Sequence, residues 1–220
     1  MSIAAVIFDM DGVLVDTEKS WQRARIDFAT TVGKPWTLDD QRRLMGSSTR
    51  EWVHYMQERL ELNMPDAQIE DEIKNRLLSY YEQNLTILPG AVEAVKLVAS
   101  HYPVGLASGS AHWAIDAIME IIGIRSLFET LVSGDEVAHG KPAPDIFLET
   151  ARRLDVAPEQ VIGIEDSGNG IRALKAAGMR AIAVPTSEIP LADDILAMTD
   201  VTLVNLKQFN MELLQSLVEN

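Results

Sequence analysis

The stretch Ala5–Glu18, AVIFDMDGVLVDTE, decides how the rest of the chain is read. It begins with four apolar, strand-forming residues, and the run stops at Asp9, with Asp11 two positions further on and Gly12 after it. In an extended segment residues i and i+2 project to the same side, so the two carboxylates can face one point. Two close carboxylates repel each other unless one is protonated or a cation lies between them. A lone Asp at a strand end more commonly caps the turn that follows. Counting Asp16 and Glu18, a calcium loop is a second plain reading. It fails because Gly12 falls at loop position four instead of six, and apolar residues fill positions five and seven.

The same pattern returns along the chain: short apolar runs that end in small, polar or acidic residues. They are Val104–Ala107 before Ser108, Leu131–Val132 before Ser133, Val161–Ile164 before Glu165 and Asp166, and Ala181–Val184 before Pro185, with Val201–Val204 as a further strand. Helical stretches lie between them at Ala91–Ser100, Ala111–Ile122, Pro144–Leu154 and Gly168–Ala177. Strand–helix alternation with β-branched, fully apolar strands predicts an α/β fold with a doubly wound parallel sheet. Ligands bind such sheets beyond the carboxyl ends of the strands. That rule gathers Asp9, Asp11, Ser108, Glu165 and Asp166 on one rim.

Residues 17–87 break the alternation. Their helical patterns cover Glu18–Val32, Thr37–Leu44, Thr49–Leu60 and Pro65–Gln83, with Pro35 and Pro65 as punctuation and Pro89-Gly90 marking the return to alternation. The expected organisation is an α/β core from residues 1–16 and 88–220, carrying a small all-helical domain at 17–87.

Composition narrows the function. A formal charge of -14 argues against nucleic acid and anionic membranes as partners, both of which need basic surfaces. There is no cysteine, so disulfides and thiolate metal sites are excluded. The N-terminus reads directly as strand instead of as a signal peptide, and a cytoplasmic protein is expected. The four histidines, His54, His101, His112 and His139, have no metal-ligand spacing and read as surface or loop residues.

Three further rim segments add chemistry. GLASGS supplies the hydroxyls of Ser108 and Ser110 and close backbone N–H groups around Gly109, suited to an oxyanion. HGKPAPD fixes Lys141 between Gly140 and Pro142, an unusually rigid place for a merely solvated lysine. VIGIEDSGNG sets Glu165 and Asp166 at a strand end, with the oxygen ligands that magnesium prefers. Acids, one lysine and hydroxyl or amide donors together make a site for a phosphate with a divalent cation.

With these motifs in order over its length, the chain resembles the haloacid dehalogenase superfamily of phosphatases. Those motifs are DMDG with Asp9 and Asp11, ASGS with Ser108, GKPAPD with Lys141 and GIEDSGNG with Glu165 and Asp166. The helical insert is similar to the cap of the subclass that includes sugar-phosphate phosphatases and β-phosphoglucomutase. The resemblance implies that Asp9 is a nucleophile forming an aspartyl phosphate and that Asp11 is the general acid and base. It implies Mg2+ held by Asp9, the Asp11 backbone carbonyl and Asp166, with Glu165 as a ligand or beside one. Ser108 and Gly109 would hold phosphate oxygens, and Lys141 would neutralise charge. The expected substrate is a small phosphorylated metabolite, a sugar or polyol phosphate, handled by a monomer.

Alternatives stay open. Superfamily members resembling dehalogenases lack an acid at the position of Asp11, so its presence favours phosphoryl transfer. The mutase pattern carries a cap histidine where DTEKSW offers Trp21, and DTEKSW resembles the DSEPLW of bacterial sugar-phosphate phosphatases. A phosphosugar mutase is the alternative. A receiver-like phospho-acceptor domain is a more distant one, disfavoured by the helical insert. Within the cap Glu18, Trp21, Arg25, Arg50 and Arg76 are candidates for contacting substrate, while Met45 and Trp52 read equally as packing residues. LMGSSTRE departs from the mutase-like GVSRE by one residue, which weakens the parallel for Arg50.

Overall fold

The computed structural model describes residues 2–44, 47, 49–186 and 190–219. Its strands are β1 (Ala5–Phe8), β2 (Val15–Asp16), β3 (Thr86–Ile87), β4 (Val104–Ser108), β5 (Thr130–Ser133), β6 (Val161–Glu165), β7 (Arg180–Ala183) and β8 (Val201–Thr202). Six of them form one parallel sheet in the order β5-β4-β1-β6-β7-β8, and β2 pairs with β3. The helices are α1 (Glu18–Thr31), α2 (Leu38–Arg43), α3 (Thr49–Arg59), α4 (Asp66–Asn84), α5 (Ala91–Ala99), α6 (His112–Ile121), α7 (Asp145–Arg153), α8 (Gly168–Ala176), α9 (Asp193–Leu196) and α10 (Met211–Glu219).

The chain divides into two compact units, one of Met1–Asp16 with Ile87–Asn220 and one of Thr17–Thr86. In the first, β1 is the central strand and all four of its residues are buried, as a strand covered on both faces must be. Helices cover the sheet with apolar stripes at helical spacing, such as Ala91, Ala94, Val95 and Val98 on α5 and Ala114, Ile115, Ile118 and Met119 on α6. Phe8, the last residue of β1, meets the Phe128 ring edge-on at 6.5 Å and lies 6.4 Å from Phe209. Burying a ring of this size stabilises by roughly 1.5–3 kcal/mol, which fixes the point where Asp9 begins. The switch point of the sheet lies here, because β4 and β5 follow β1 on one side of it while β6, β7 and β8 continue on the other.

In the second unit α4 packs on α1 and on α3. Ile69, Ile73, Leu77 and Tyr81 recur every four residues on α4 and are buried, with Phe28 and Ala24 buried on α1. A capping box starts α2: Thr37 Oγ accepts the Asp40 N–H while Asp40 accepts the Thr37 N–H.

The ten stretches read as strand or helix in the α/β part and the four in the insert are present, with ends shifted by one or two residues. Four elements lie outside the strands and helices expected from the sequence. Strands β2 and β3 are two residues long, too short to show alternation, and α9 is a single turn. Helix α10 does carry helical apolar spacing, with Leu214 and Leu217 buried, and is absent from the expected set. The strand expected through Val204 stops at Thr202, and Val204 is exposed. Met45 lies outside the described residues.

Candidate active site

Every polar residue expected on the rim lies at or just beyond a strand end in the first unit. Asp9 follows β1, and its N–H donates to the Ile164 carbonyl of β6 at 3.0 Å, which ties it to the strand that ends in Glu165. Ser108 ends β4, and Asp166 follows Glu165. Lys141 reaches in from the loop before α7. Its Nζ donates to Asp9 Oδ1 at 2.7 Å, to Glu165 Oε1 at 2.7 Å and to the Ala107 carbonyl at 3.2 Å. An ammonium has three protons, so all three donors are engaged. The other Glu165 oxygen accepts the Ser167 N–H at 2.7 Å, and the Ser167 hydroxyl caps α8 by accepting from Gly170 N.

Asp11 is oriented by hydroxyls. Its Oδ2 accepts from Ser110 Oγ at 2.7 Å and from Ser108 Oγ at 3.2 Å. Gly109 lies between these serines, exposed, and a Cβ there would meet nothing within 4 Å. Two other glycines are present because site carboxylates press against them. Gly12 has φ +80, and a Cβ on it would fall 2.1 Å from Asp166 Oδ2. A Cβ on Gly170 would fall 1.6 Å from Glu165 Oε1. Sequence reasoning missed Gly12, Gly170, Ser167 and the Ala107 carbonyl as parts of the site. The DG and SGNG spacings carried a signal for the first three, and a backbone carbonyl carries none. The sequence offers Ser110 as an oxyanion donor, whereas its hydroxyl holds Asp11.

Burial dominates the electrostatics. It pushes the Asp9 carboxyl up to about 7, with Lys141 pulling it down and Glu165 and Asp11 pushing it further up. Burial and then the charges of Glu165 and Asp9 raise Asp166 to about 8. Burial works against the Lys141 ammonium, but Asp9 and Glu165 outweigh it and hold the lysine above its ordinary value. Asp9, Glu165 and Asp166 each offer an oxygen, and these lie within 4.8 Å of one another. Beyond burial, the negative charge clustered around them further disfavours ionisation of Asp9 and Asp166. Hard oxygen donors at this spacing fit a divalent cation, which would relieve it.

This geometry can be set beside known proteins. A family model described as haloacid dehalogenase-like hydrolase matches residues 3–178. The chain belongs to the haloacid dehalogenase-like hydrolases. It is 36% identical over 179 residues to the phosphorylated carbohydrates phosphatase of Thermotoga maritima, spanning 81% of this chain and 83% of that one. It is 34% identical over 213 residues to hexitol phosphatase B of Escherichia coli K12, spanning 94% of each. Among solved structures, β-phosphoglucomutase from Clostridium difficile superposes with a TM-score of 0.79 at 27% identity, over 99% of this chain and 97% of that one. This member of the haloacid dehalogenase-like hydrolases is thus an α/β enzyme whose relatives include sugar and hexitol phosphatases. No helix among its described residues is long and apolar enough to cross a membrane.

In this haloacid dehalogenase-like hydrolase the cap candidates divide into groups, all within the second unit. Glu18 Oε1 accepts from Gln41 Nε2 at 2.7 Å. The Trp21 ring lies 5.9 Å from Trp52, edge-on, and 4.8 Å from the Arg25 guanidinium. Burial lowers Arg25 to about 10 against the pull of Glu18 and Tyr81. Its Nε is buried with no hydrogen-bond partner among the described residues. Trp52 is buried and packs as core. Arg50 is exposed on α3, and Arg76 pairs with Glu72 while lying over the Phe28 ring. The histidines are surface residues: His54 faces Glu58, His112 faces Glu136 at 2.9 Å, His139 faces Asp145 at 2.9 Å, and His101 is exposed.

Proposed function

We propose that this protein is a magnesium-dependent phosphatase of small sugar or polyol phosphates, working through an aspartyl phosphate on Asp9. The observation that carries the reading is the pairing of Asp9 Oδ1 with Lys141 Nζ at 2.7 Å on the central strand end, with Asp11 two residues away held by two serine hydroxyls. A carboxylate oxygen of Asp9 attacks phosphorus and the bond to the sugar oxygen breaks. Asp11 gives its proton to that leaving oxygen. Asp11, now a carboxylate, takes a proton from the water that attacks the aspartyl phosphate, and inorganic phosphate and free Asp9 are released. Ser108 Oγ and the Gly109 N–H bind the non-bridging oxygens, and the Lys141 charge offsets theirs. Asp9, Asp166 and the Asp11 backbone carbonyl would hold Mg2+, which neutralises phosphate charge and polarises the phosphorus centre. Glu165, engaged by Lys141 and Ser167, keeps the lysine in place beside them.

Relatives named as phosphatases of phosphorylated carbohydrates and hexitols support the substrate class. The structural likeness to a β-phosphoglucomutase keeps the mutase as the second reading. Trp21 stands against it, because indole has no group to shuttle a proton between sugar hydroxyls. The test is purified protein with Mg2+ and a panel of hexitol and sugar phosphates, including β-glucose 1-phosphate with a bisphosphate primer. Release of inorganic phosphate is expected. Conversion to glucose 6-phosphate with little phosphate released would overturn the phosphatase in favour of the mutase.

A further inference from the structure

Three serines at the ends of two neighbouring strands, β4 and β5, form a chain of hydrogen bonds behind Asp11. Ser133, fully buried at the end of β5, donates from Oγ to the Ser110 carbonyl at 2.7 Å and accepts the Asp135 N–H at 3.1 Å. Its own N–H donates to Glu136 at 2.8 Å. Ser110 donates its backbone N–H to Ser108 Oγ at 3.1 Å and its hydroxyl to Asp11 Oδ2 at 2.7 Å. The Ser108 hydroxyl donates to the same Asp11 oxygen at 3.2 Å. Ser110 is therefore pinned on both sides of its own peptide, and its side chain has the shorter bond to Asp11.

A hydroxyl has a single proton. Ser108 Oγ can point it at Asp11 or at a phosphate oxygen, so a bound phosphate competes for the bond that Asp11 receives from Ser108. Ser110 faces no such competition in the phosphoryl-transfer reading. We propose that Ser110 is the positioning residue of the general acid: once phosphate takes the Ser108 proton, Ser110 holds the Asp11 carboxyl in place for proton transfer. Ser110 acts through Asp11 and not on the phosphate. This rests on the proposed phosphatase function.

A residue that acts only on the acid should matter in proportion to how much the leaving group needs a proton. A sugar alkoxide needs one; p-nitrophenolate leaves without it. The quantity to measure is kcat/KM with Mg2+, which reports formation of the phosphoenzyme and so excludes the later hydrolysis step. Ser110→Ala should lower it about 10- to 100-fold for a hexitol phosphate, the range set by one lost hydrogen bond to a charged group. With p-nitrophenyl phosphate it should fall less than about threefold. Inhibition by inorganic phosphate should be unchanged in Ser110→Ala and weakened in Ser108→Ala. Ser110→Thr, which keeps the donor, should restore the hexitol phosphate rate. Ser110→Cys, similar in size and a poor donor, should repeat the selective loss and serves if the alanine variant folds poorly. Equal losses on both esters, no loss on either, or phosphate inhibition weakened as much as turnover would overturn the proposal while leaving an active wild type. A wild-type protein that hydrolyses neither ester would instead overturn the phosphatase reading, and this inference with it.

Discussion

Replacing a helical glycine by alanine ordinarily stabilises a protein by about 0.5–1 kcal/mol, because alanine gives up less backbone freedom on folding. Gly170, in the first turn of α8, should reverse that sign. The added Cβ would fall 1.6 Å from Glu165 Oε1 and 1.8 Å from its Cδ, so the carboxylate has to move. A flexible, solvated glutamate would move cheaply. Glu165 is 1% exposed and has both oxygens engaged, by Lys141 and by Ser167 N, at 2.7 Å each. Breaking a buried ion pair from one side costs about 3–5 kcal/mol. With the lower figure set against a gain of about 1 kcal/mol, Gly170→Ala should lose about 2 kcal/mol. At 2–4 °C per kcal/mol for a chain of this size, Tm should fall by roughly 4–8 °C. Turnover should fall as well, since Lys141 loses one of its three acceptors. The control is Gly168→Ala in the same helix, whose Cβ would meet Ile195 Cγ1 at 3.5 Å, an ordinary contact. Thermal denaturation and phosphate release are measured for both. Equal Tm and equal turnover in the two variants would refute the claim that Glu165 is fixed.

Three more outcomes follow from the same physics. Burial would raise Asp40, but hydrogen bonds from Tyr55, Thr37 and Arg59 prevail and hold it at about 2, below its ordinary 3.8. A depressed carboxyl stabilises the fold above the unfolded value and loses that contribution as pH falls through the folded one. Asp40→Asn should therefore cost about 2 kcal/mol at neutral pH and far less near pH 2, and a gap from wild type that ignores pH would refute this. Asp9 and Asp166, raised to about 7 and about 8, bind protons in the fold that the unfolded chain releases. In chelator, stability should decline as pH rises from about 5 through 8, and Mg2+ should raise Tm more at the alkaline end; a flat profile with no metal effect would contradict it. Trp21→Ala should raise KM for sugar phosphates and leave acetyl phosphate nearly unchanged, whereas equal impairment on both would mark Trp21 as a support for the Trp52 packing.

The sequence displayed the site well because its chemistry sits at strand ends. Asp9, Ser108 and Glu165 each follow apolar residues long enough to declare a buried strand, so one sheet rule gathers them from the sequence alone. What it could not display were contacts that depend on approach in space. The Gly170–Glu165 and Gly12–Asp166 contacts look in sequence like ordinary turn glycines. Ser110 stands where an oxyanion donor is expected, and only the 2.7 Å bond to Asp11 assigns its proton. Lys141 was legible as rigid because of Gly140 and Pro142, but its saturation by Asp9, Glu165 and the Ala107 carbonyl was not. The helical insert was legible as four helices through its fourfold apolar spacing. The environment of Arg25, set by Trp21 from one turn earlier, Glu18 and Tyr81, depends on packing that no periodicity encodes.

The proposed mechanism requires Asp9 to become covalently phosphorylated. Quenching the enzyme during turnover of a hexitol phosphate with borohydride reduces an aspartyl phosphate to homoserine, which peptide mass spectrometry locates. Conversion at Asp9, dependent on substrate and on Mg2+ and absent in Asp9→Asn, is the predicted result. Turnover with Asp9 unmodified, or reduction at a different carboxylate, would contradict it.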